Sequence, residues 1–400
     1  MSTRDVSASA AQGGTQVRTG AGGDGDRPFV VNDRDRDWRI DVPVGPAREF
    51  HRSMPGYAPT PLHRVPALAD RWGVARVLIK DESDRLGLPA FKILGASWAT
   101  AHVLAAHAGT PVPSTFEALR DLAATLRGEG ASTLVTATDG NHGRALARMA
   151  HLLGLRSRVY LAGDLPVGVA EAIAGEGAEV IDTGAVYDEA VRAAADSCTS
   201  DTDLLVQDMS WEGYREPPAR IVEGYSTLFA ECEDQMVRVP FVADGGSALG
   251  GRDLVVVPAG VGCLLQAGLQ HLRAAERAGL PRVLAVEPVA AACVTASVAT
   301  GESVTVVTDV PTAMAGLNCG TVAGDALPVI LAGLDAGVGV TDAEAAAAAA
   351  TLRAAGVPAG PCGAATAAGV EAVLARPDGR EVLGLGPDST VVLVSTEAPW

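Results

Sequence analysis

The sequence predicts an α/β protein built on open, mostly parallel sheets with helices on both faces. Three observations carry that expectation. Short β-branched runs recur along the chain, helical patterns separate them, and the runs are apolar throughout rather than alternating. A strand that is apolar on both sides is covered on both sides, as in a parallel sheet between helix layers. The 400 residues are 48% hydrophobic, enough for one large body or two domains. Aromatics make up only 4% while Ala and Gly are plentiful, so helices can pack close to the sheets.

Residues 1–30 are rich in Gly, Ser and charge, cannot bury enough surface to order themselves, and are expected as a flexible tail. They also lack the apolar stretch of a secretory signal. Strands are expected over 75–80, 132–138, 157–163, 178–184, 203–208, 282–288 and 390–396. A further strand, 253–262, runs into a glycine turn followed by a helix to about 278. Helices are expected over 92–108 and over 141–154, the latter stopping at a glycine. Thr341-Asp-Ala-Glu344 is a capping-box pattern that opens an Ala-rich helix ending at Gly356.

Charge and cysteines narrow the function. A net charge of −17 argues against a nucleic-acid or anionic-membrane partner. No segment approaches the ~18 uninterrupted apolar residues of a membrane helix, and a cytoplasmic protein is expected. The six cysteines, at 198, 232, 263, 293, 319 and 362, have no CxxC spacing. They suggest neither a metal site nor a disulfide framework.

Four segments can carry chemistry. Lys92 sits between Phe91 and Ile93-Leu94, ahead of the small residues Gly95 and Ala96. Most lysines are solvated charges, but desolvation here would lower the ammonium pKa, as a Schiff-base lysine requires. Residues 136–143 (TATDGNHG) join a strand end to a helix, where free backbone N–H groups can bind a substrate carboxylate. Thr138, Asp139, Gly140 and His142 are candidate substrate contacts there, with Asn141 as an amide donor and Asp139 able to take a proton. The same residues also suit an Asx-type turn with Gly140 left-handed. Gly260, Val261, Gly262 and Cys263 follow a buried strand and can wrap a phosphate at a helix start. Gly260-x-Gly262 with Glu287 at the end of the next strand also fits a nicotinamide-binding oxidoreductase, although Leu265 stands where the third glycine belongs. Ser395 and Thr396 end the last strand, where a hydroxyl can meet a pyridine nitrogen or simply be a polar strand terminus.

Together these residues resemble a known family. The segment Lys80 to Ser97 (KDESDRLGLPAFKILGAS) resembles the lysine segment of fold-type II pyridoxal-phosphate (PLP) enzymes, specifically that of the diaminopropionate ammonia-lyases. Residues 138–144 match that family's asparagine loop, in which serine/threonine dehydratases and cysteine synthases carry a serine where this chain has Asp139. Residues 206–214 (VQDMSWEGY) are similar to the second acidic segment, with Asp208 at its centre. Residues 258–263 match the phosphate loop, and 286–288 and 314–320 also look like family segments. The resemblance runs from about residue 30 to the end. It departs at Ser395-Thr-Glu397, which is followed by Ala-Pro-Trp400 where relatives continue with a glycine and a short tail.

The resemblance implies a two-domain fold with PLP between the domains. Residues 31–94 and 226–400 would form the large cofactor-binding domain and 95–225 the small one. Lys92 would hold PLP, surrounded by Phe91, Asn141, Gly260, Val261, Gly262, Cys263, Ser395 and Thr396. Asp208 would take the Cα proton of L-2,3-diaminopropionate and Asp139 that of the D-isomer, giving pyruvate and two ammonia in a homodimeric enzyme. A dehydratase or β-replacement enzyme acting on serine, threonine or another β-substituted amino acid is the alternative within the class. Cys293 and Cys319 fall in two family-like segments, so a bridge between them and free cytosolic thiols both stay open.

Overall fold

A computed structural model describes residues 16–17, 27–42, 45–130, 132–163, 165, 168–238, 249–277 and 279–399. The apolar runs form two sheets. The larger has seven strands in the order Phe29–Val31, Ala336–Val340, Arg282–Pro288, Leu254–Pro258, Thr390–Ser395, Arg76–Asp81, Leu62–Arg64. Its five inner strands are parallel, and only the two short outer ones run antiparallel. The central strands LVVVP and TVVLVS are buried at every position, as expected for a sheet covered on both faces. The smaller sheet is wholly parallel, in the order Glu179–Asp182, Arg156–Leu161, Thr133–Thr138, Asp203–Leu205.

Helix Pro361–Leu374 covers one face of the large sheet and packs with Asp342–Ala354. Thr341 and Glu344 close the expected capping box on that second helix. The other face carries Cys263–Leu272, against which Glu216–Arg238 and then Ile93–Ala108 stack. The last two helices approach closely through small residues. A Cβ on Gly95 would lie 2.6 Å from Tyr225 Cε1, and one on Gly224 would lie 2.4 Å from Leu94 O. This contact brings Tyr225 beside Phe91, with ring centroids 4.7 Å apart.

A buried ion network ties Glu216–Arg238 to the sheet. Lys80 donates to Glu231 at 2.8 Å, and Arg85 donates to both Glu82 and Glu231, with all four side chains fully buried. Two cations meet two carboxylates, so burial leaves no net charge unmatched. The Lys80-Asp-Glu-Ser-Asp-Arg85 segment therefore serves packing.

Several expectations change. The helix expected to reach residue 278 ends at Leu272, because the buried Arg273 turns inward to donate to Gly333 O, Pro281 O and Asp335. The strands Phe29–Val31, Leu62–Arg64 and Ala336–Val340 were not expected. The expected boundaries at 94/95 and 225/226 fall inside helices Ile93–Ala108 and Glu216–Arg238. Of the expected tail, residues 1–15 and 18–26 lie outside the described residues. Gln16–Val17 pairs with Thr305–Val306. Arg27 donates to Gly339 O and Glu344, and Phe29–Val30 pairs with the large sheet, so the tail cannot extend to residue 30.

Candidate active site

Parallel strands end in loops on one side of a sheet, and those loops form a crevice where the strand order reverses. Both sheets follow this rule toward a single cavity. The loop after Arg76–Asp81 leads to Lys92, and Asp139 follows Thr133–Thr138. Asp208 follows Asp203–Leu205, the glycine loop follows Leu254–Pro258, and Thr396 and Glu397 follow Thr390–Ser395. The cavity is lined by Phe91, Lys92, Asp139, Asn141, Asp208, residues 258–264, Thr396 and Glu397, and also by Tyr187, Tyr225, Gly316, Leu317, Cys319 and Cys362.

Lys92 is the residue just before helix Ile93–Ala108. Its Nζ donates to Asp208 Oδ2 at 2.9 Å and lies 5.7 Å from the Phe91 ring centroid and 6.0 Å from that of Tyr225. Burial pushes its ammonium pKa down, the direction the sequence suggested, but Asp208, Tyr225 and Asp139 outweigh it. The net pKa is raised well above the ordinary lysine value, contrary to expectation. Asp208, Tyr225 and Asp139, all remote from Lys92 in sequence, supply that difference.

Asp208 Oδ1 accepts from Tyr187 Oη at 2.9 Å and from Gln207 Nε2 at 3.0 Å. Burial disfavours its charge, yet Lys92, His142 and Tyr187 hold its carboxyl below the usual carboxylate range. Asp139 is shifted the other way: burial raises it, Lys92 opposes, and the neighbouring charge of Asp208 raises it further. Gln207 Oε1 accepts from Ala137 N and Thr136 Oγ1, both at 2.9 Å, which cross-links the two strands that carry the aspartates. The WEGY segment fixes the same strand end. Tyr214 Oη donates to Leu205 O and accepts from Gln207 N, while Trp211 stacks on the Tyr214 ring.

The asparagine loop divides between lining and bracing. Asp139 and Asn141 line the cavity, and Asn141 Nδ2 donates to Glu397 Oε2 at 2.8 Å. Thr138 and His142 are buried and, like Gly140, lie outside the lining. Thr138 Oγ1 accepts from Gly140 N and Gly143 N, both at 2.9 Å, and His142 Nε2 bonds Val206 O. Of the four residues expected to touch substrate, Asp139 lines the cavity, while Thr138, Gly140 and His142 brace the loop.

The glycine loop suits a single phosphate. Helix Cys263–Leu272 begins with Gly262 at φ 96°, and no side chain caps it, which leaves the first-turn N–H groups to an anion. A Cβ on Gly260 would meet Cys319 Sγ and Gly316 O at 3.0 Å, so that residue admits no side chain. Ser395 Oγ and Thr396 Oγ1 are buried without a hydrogen-bond partner; Thr396 lines the cavity and Ser395 does not, so Thr396 Oγ1 is the hydroxyl available to a group bound there. These features fit PLP. Glu287 does not fit a ribose: it is fully buried, caps helix Cys293–Thr300 through Val294 N, Thr295 N and Thr295 Oγ1, and does not line the cavity. The nicotinamide alternative fails on that residue.

All six cysteines are free thiols, including Cys293 and Cys319. Among the described residues no His, Cys, Asp or Glu cluster could hold a metal, and no helix is long and apolar enough to cross a membrane. Tyr187, Tyr225, Cys362 and Glu397 were not identified as site residues from sequence. The tyrosines come from helix faces without a motif. The signal for Glu397 was its place directly after Ser395-Thr396.

Residues 54–397 match the family described as "Pyridoxal-phosphate dependent enzyme", and the chain belongs to that class. It is 37% identical over 283 residues to the diaminopropionate ammonia-lyase of Escherichia coli K12, covering 68% of this chain and 66% of that relative, just short of two thirds of its length. The E. coli enzyme solved with an aminoacrylate–PLP azomethine reaction intermediate superposes with a TM-score of 0.78 at 30% identity, over 92% of this chain and 93% of that one; it has also been solved in complex with D-serine. A biosynthetic L-threonine dehydratase of Mycobacterium bovis is 32% identical over 183 residues, 44% of this chain and 37% of that relative. Within the PLP class, the chain belongs to the diaminopropionate ammonia-lyase family.

Proposed function

We propose that the protein eliminates ammonia from 2,3-diaminopropionate, as the D- or the L-isomer, yielding pyruvate and two ammonia. One observation carries the reading: Asp139 and Asp208, from separate strand ends, face a single cavity around Lys92. The site residues follow from that reading. Lys92 would hold PLP through Nζ, and the N–H groups of Gly260, Val261, Gly262 and Cys263 would bind its phosphate. Ser395 or Thr396 would meet the ring nitrogen, with Phe91 and Asn141 beside it. Bound PLP supplies an electron sink that weakens the Cα–H bond.

The remaining chemistry belongs to the chain. Asp208 takes the Cα proton of the L-isomer and Asp139 that of the D-isomer, because each enantiomer presents that proton to a different side. Tyr187 and Gln207 orient Asp208, and Lys92, His142 and Tyr187 keep it ionised, hence able to accept a proton. Thr138, Gly140 and His142 hold the asparagine loop so that its amides face the substrate carboxylate. The proposal extends to lobes at 95–225 and at 31–94 with 226–400, to a homodimer, and to a cytoplasmic setting, the last supported by the free thiols. Light scattering giving the mass of one chain would refute the dimer.

The test is stereochemical. Asp208→Asn should cut turnover of L-2,3-diaminopropionate by about 10²–10⁴-fold, the usual cost of a lost general base, and spare the D-isomer. Asp139→Asn should do the reverse. Parallel pyruvate assays read both, and equal losses for both isomers in each variant would end the two-base reading.

A further inference from the structure

We propose that Glu397 is the specificity-determining carboxylate of this site and holds the β-ammonium group of the diamino acid. This inference deepens the proposed function and rests on it. The cavity is lined by three carboxylates, Asp139, Asp208 and Glu397, but Lys92 is the single Lys, Arg or His among its described lining residues. Lys92 is paired with Asp208. In the proposed function Asp139 and Asp208 handle the Cα proton, which leaves Glu397 without an assigned partner.

Glu397 is built in rather than incidental. Its backbone carbonyl accepts from Gly360 N at 2.8 Å, and Ala398 N donates to Pro89 O at 2.9 Å, so the chain is pinned on both sides of it. Its side chain lies over Gly360, where a Cβ would sit 2.9 Å from Glu397 Cγ. The residue is only 5% exposed, and among the described residues no cation pairs with it. Burial raises its pKa; Cys362 and Asn141 oppose that by hydrogen bonding, and the charge of Asp139 adds to it. A buried carboxylate without a counter-ion is costly and is stabilised by any cation that arrives.

Glu397 also lies where an arriving substrate meets it. Together with Asp139, Asn141 and Gly316, it lines both the central cavity and an adjoining one bounded by Pro361 and helix Asp342–Ala354, whose Arg353 lines that second cavity without forming an ion pair with Glu397. A diamino acid brings one more cation than serine or threonine, and the third carboxylate matches that surplus. Bound as ammonium, the β-nitrogen already carries three hydrogens. When the Cβ–N bond breaks, its electron pair leaves with nitrogen as neutral NH₃. The Cα–H pair closes the Cα–Cβ double bond, and the proton stays on Asp208 or Asp139. No further acid is needed at that step.

Glu397 can also act only by orienting Asn141, and Glu397→Gln separates the roles. Gln Oε1 can still accept from Asn141 Nδ2, but the charge is gone. The experiment uses PLP-loaded wild type and Glu397→Gln. It measures kcat/KM for 2,3-diaminopropionate and, from changes in the cofactor's visible absorption, dissociation constants for that substrate and for serine, whose β-substituent is neutral. The expected result is a loss of about 30-fold or more for 2,3-diaminopropionate, in kcat/KM and in binding, as for a buried charge pair stripped of one partner. Serine binding should be unchanged. Equal losses for both ligands, or none for 2,3-diaminopropionate, overturn the role of Glu397. Failure of wild type to release pyruvate from either isomer overturns the proposed function instead.

Discussion

At the scale of single residues, the site is governed by how unequally charged and hydrogen-bonding partners fall on two aspartates. Asp208 has Lys92, Tyr187 and Gln207 around its carboxylate and is held below the usual range, whereas Asp139 is raised by burial and by the charge of Asp208. A base works only when deprotonated, so acidification should disable Asp139 first. The kcat/KM for the D-isomer should therefore fall at a higher pH than that for the L-isomer. Pyruvate assays across pH check this, and coincident acid limbs would contradict it. Among the described residues lining the cavity, Lys92 is the one lysine, which is what supports it as the proposed Schiff-base residue. Lys92→Ala should lose the cofactor's visible band and activity while keeping the far-UV signature of the fold. A variant that kept full activity would remove PLP from the account.

At the scale of elements, the site depends on loops that leave parallel strands and on helices pinned behind them. Gly262 combines φ 96° with a crowded Cβ position, 2.9 Å from Ile330 Cδ1, so Gly262→Val is strained both in the backbone and in packing. The variant should bind PLP more weakly, measured by fluorescence or absorbance titration, and unaltered affinity would place the phosphate elsewhere. Arg85 plays the corresponding part for helix Glu216–Arg238. Arg85→Ala leaves Glu82 and Glu231 buried with fewer partners and should cost about 3–5 kcal/mol in denaturant unfolding. That loss should appear as stability, since Arg85 does not line the cavity.

At the scale of the whole molecule, two sheets direct the carboxyl ends of their strands at one cavity, and the stability behind that arrangement is acid-sensitive. His51 is buried neutral, with Thr227 and Leu94 O on its ring nitrogens, and burial lowers its pKa to about 3. Glu231 is lowered to about 2; burial pushes it up, but Arg85 and Lys80 overcome that. Both groups bind more protons unfolded than folded, so stability rises with pH. The His51 contribution should be lost between about pH 6.5 and 3, and that of Glu231 between about 4.5 and 2. Thermal unfolding against pH measures this, and a midpoint that does not fall on acidification would contradict it. Much of the design is legible in sequence where one segment contains both a strand end and its chemical residue, as with Asp139, Asp208 and Gly260–Gly262. It is not legible where distant segments meet. Tyr187 and Tyr225 lie on ordinary helix faces, and the net pKa of Lys92 depends on carboxylates 47 or more positions away in the chain. Ala336–Val340 carries two glycines in five residues, which weakens its strand pattern, yet Gly337 and Gly339 admit Thr295 and Pro28 where side chains would clash. The most direct test of the account is product analysis of the wild-type, PLP-loaded enzyme with each isomer of 2,3-diaminopropionate. The account predicts pyruvate with two ammonia per molecule consumed; absence of pyruvate from both isomers, alongside turnover of serine or threonine, would contradict it.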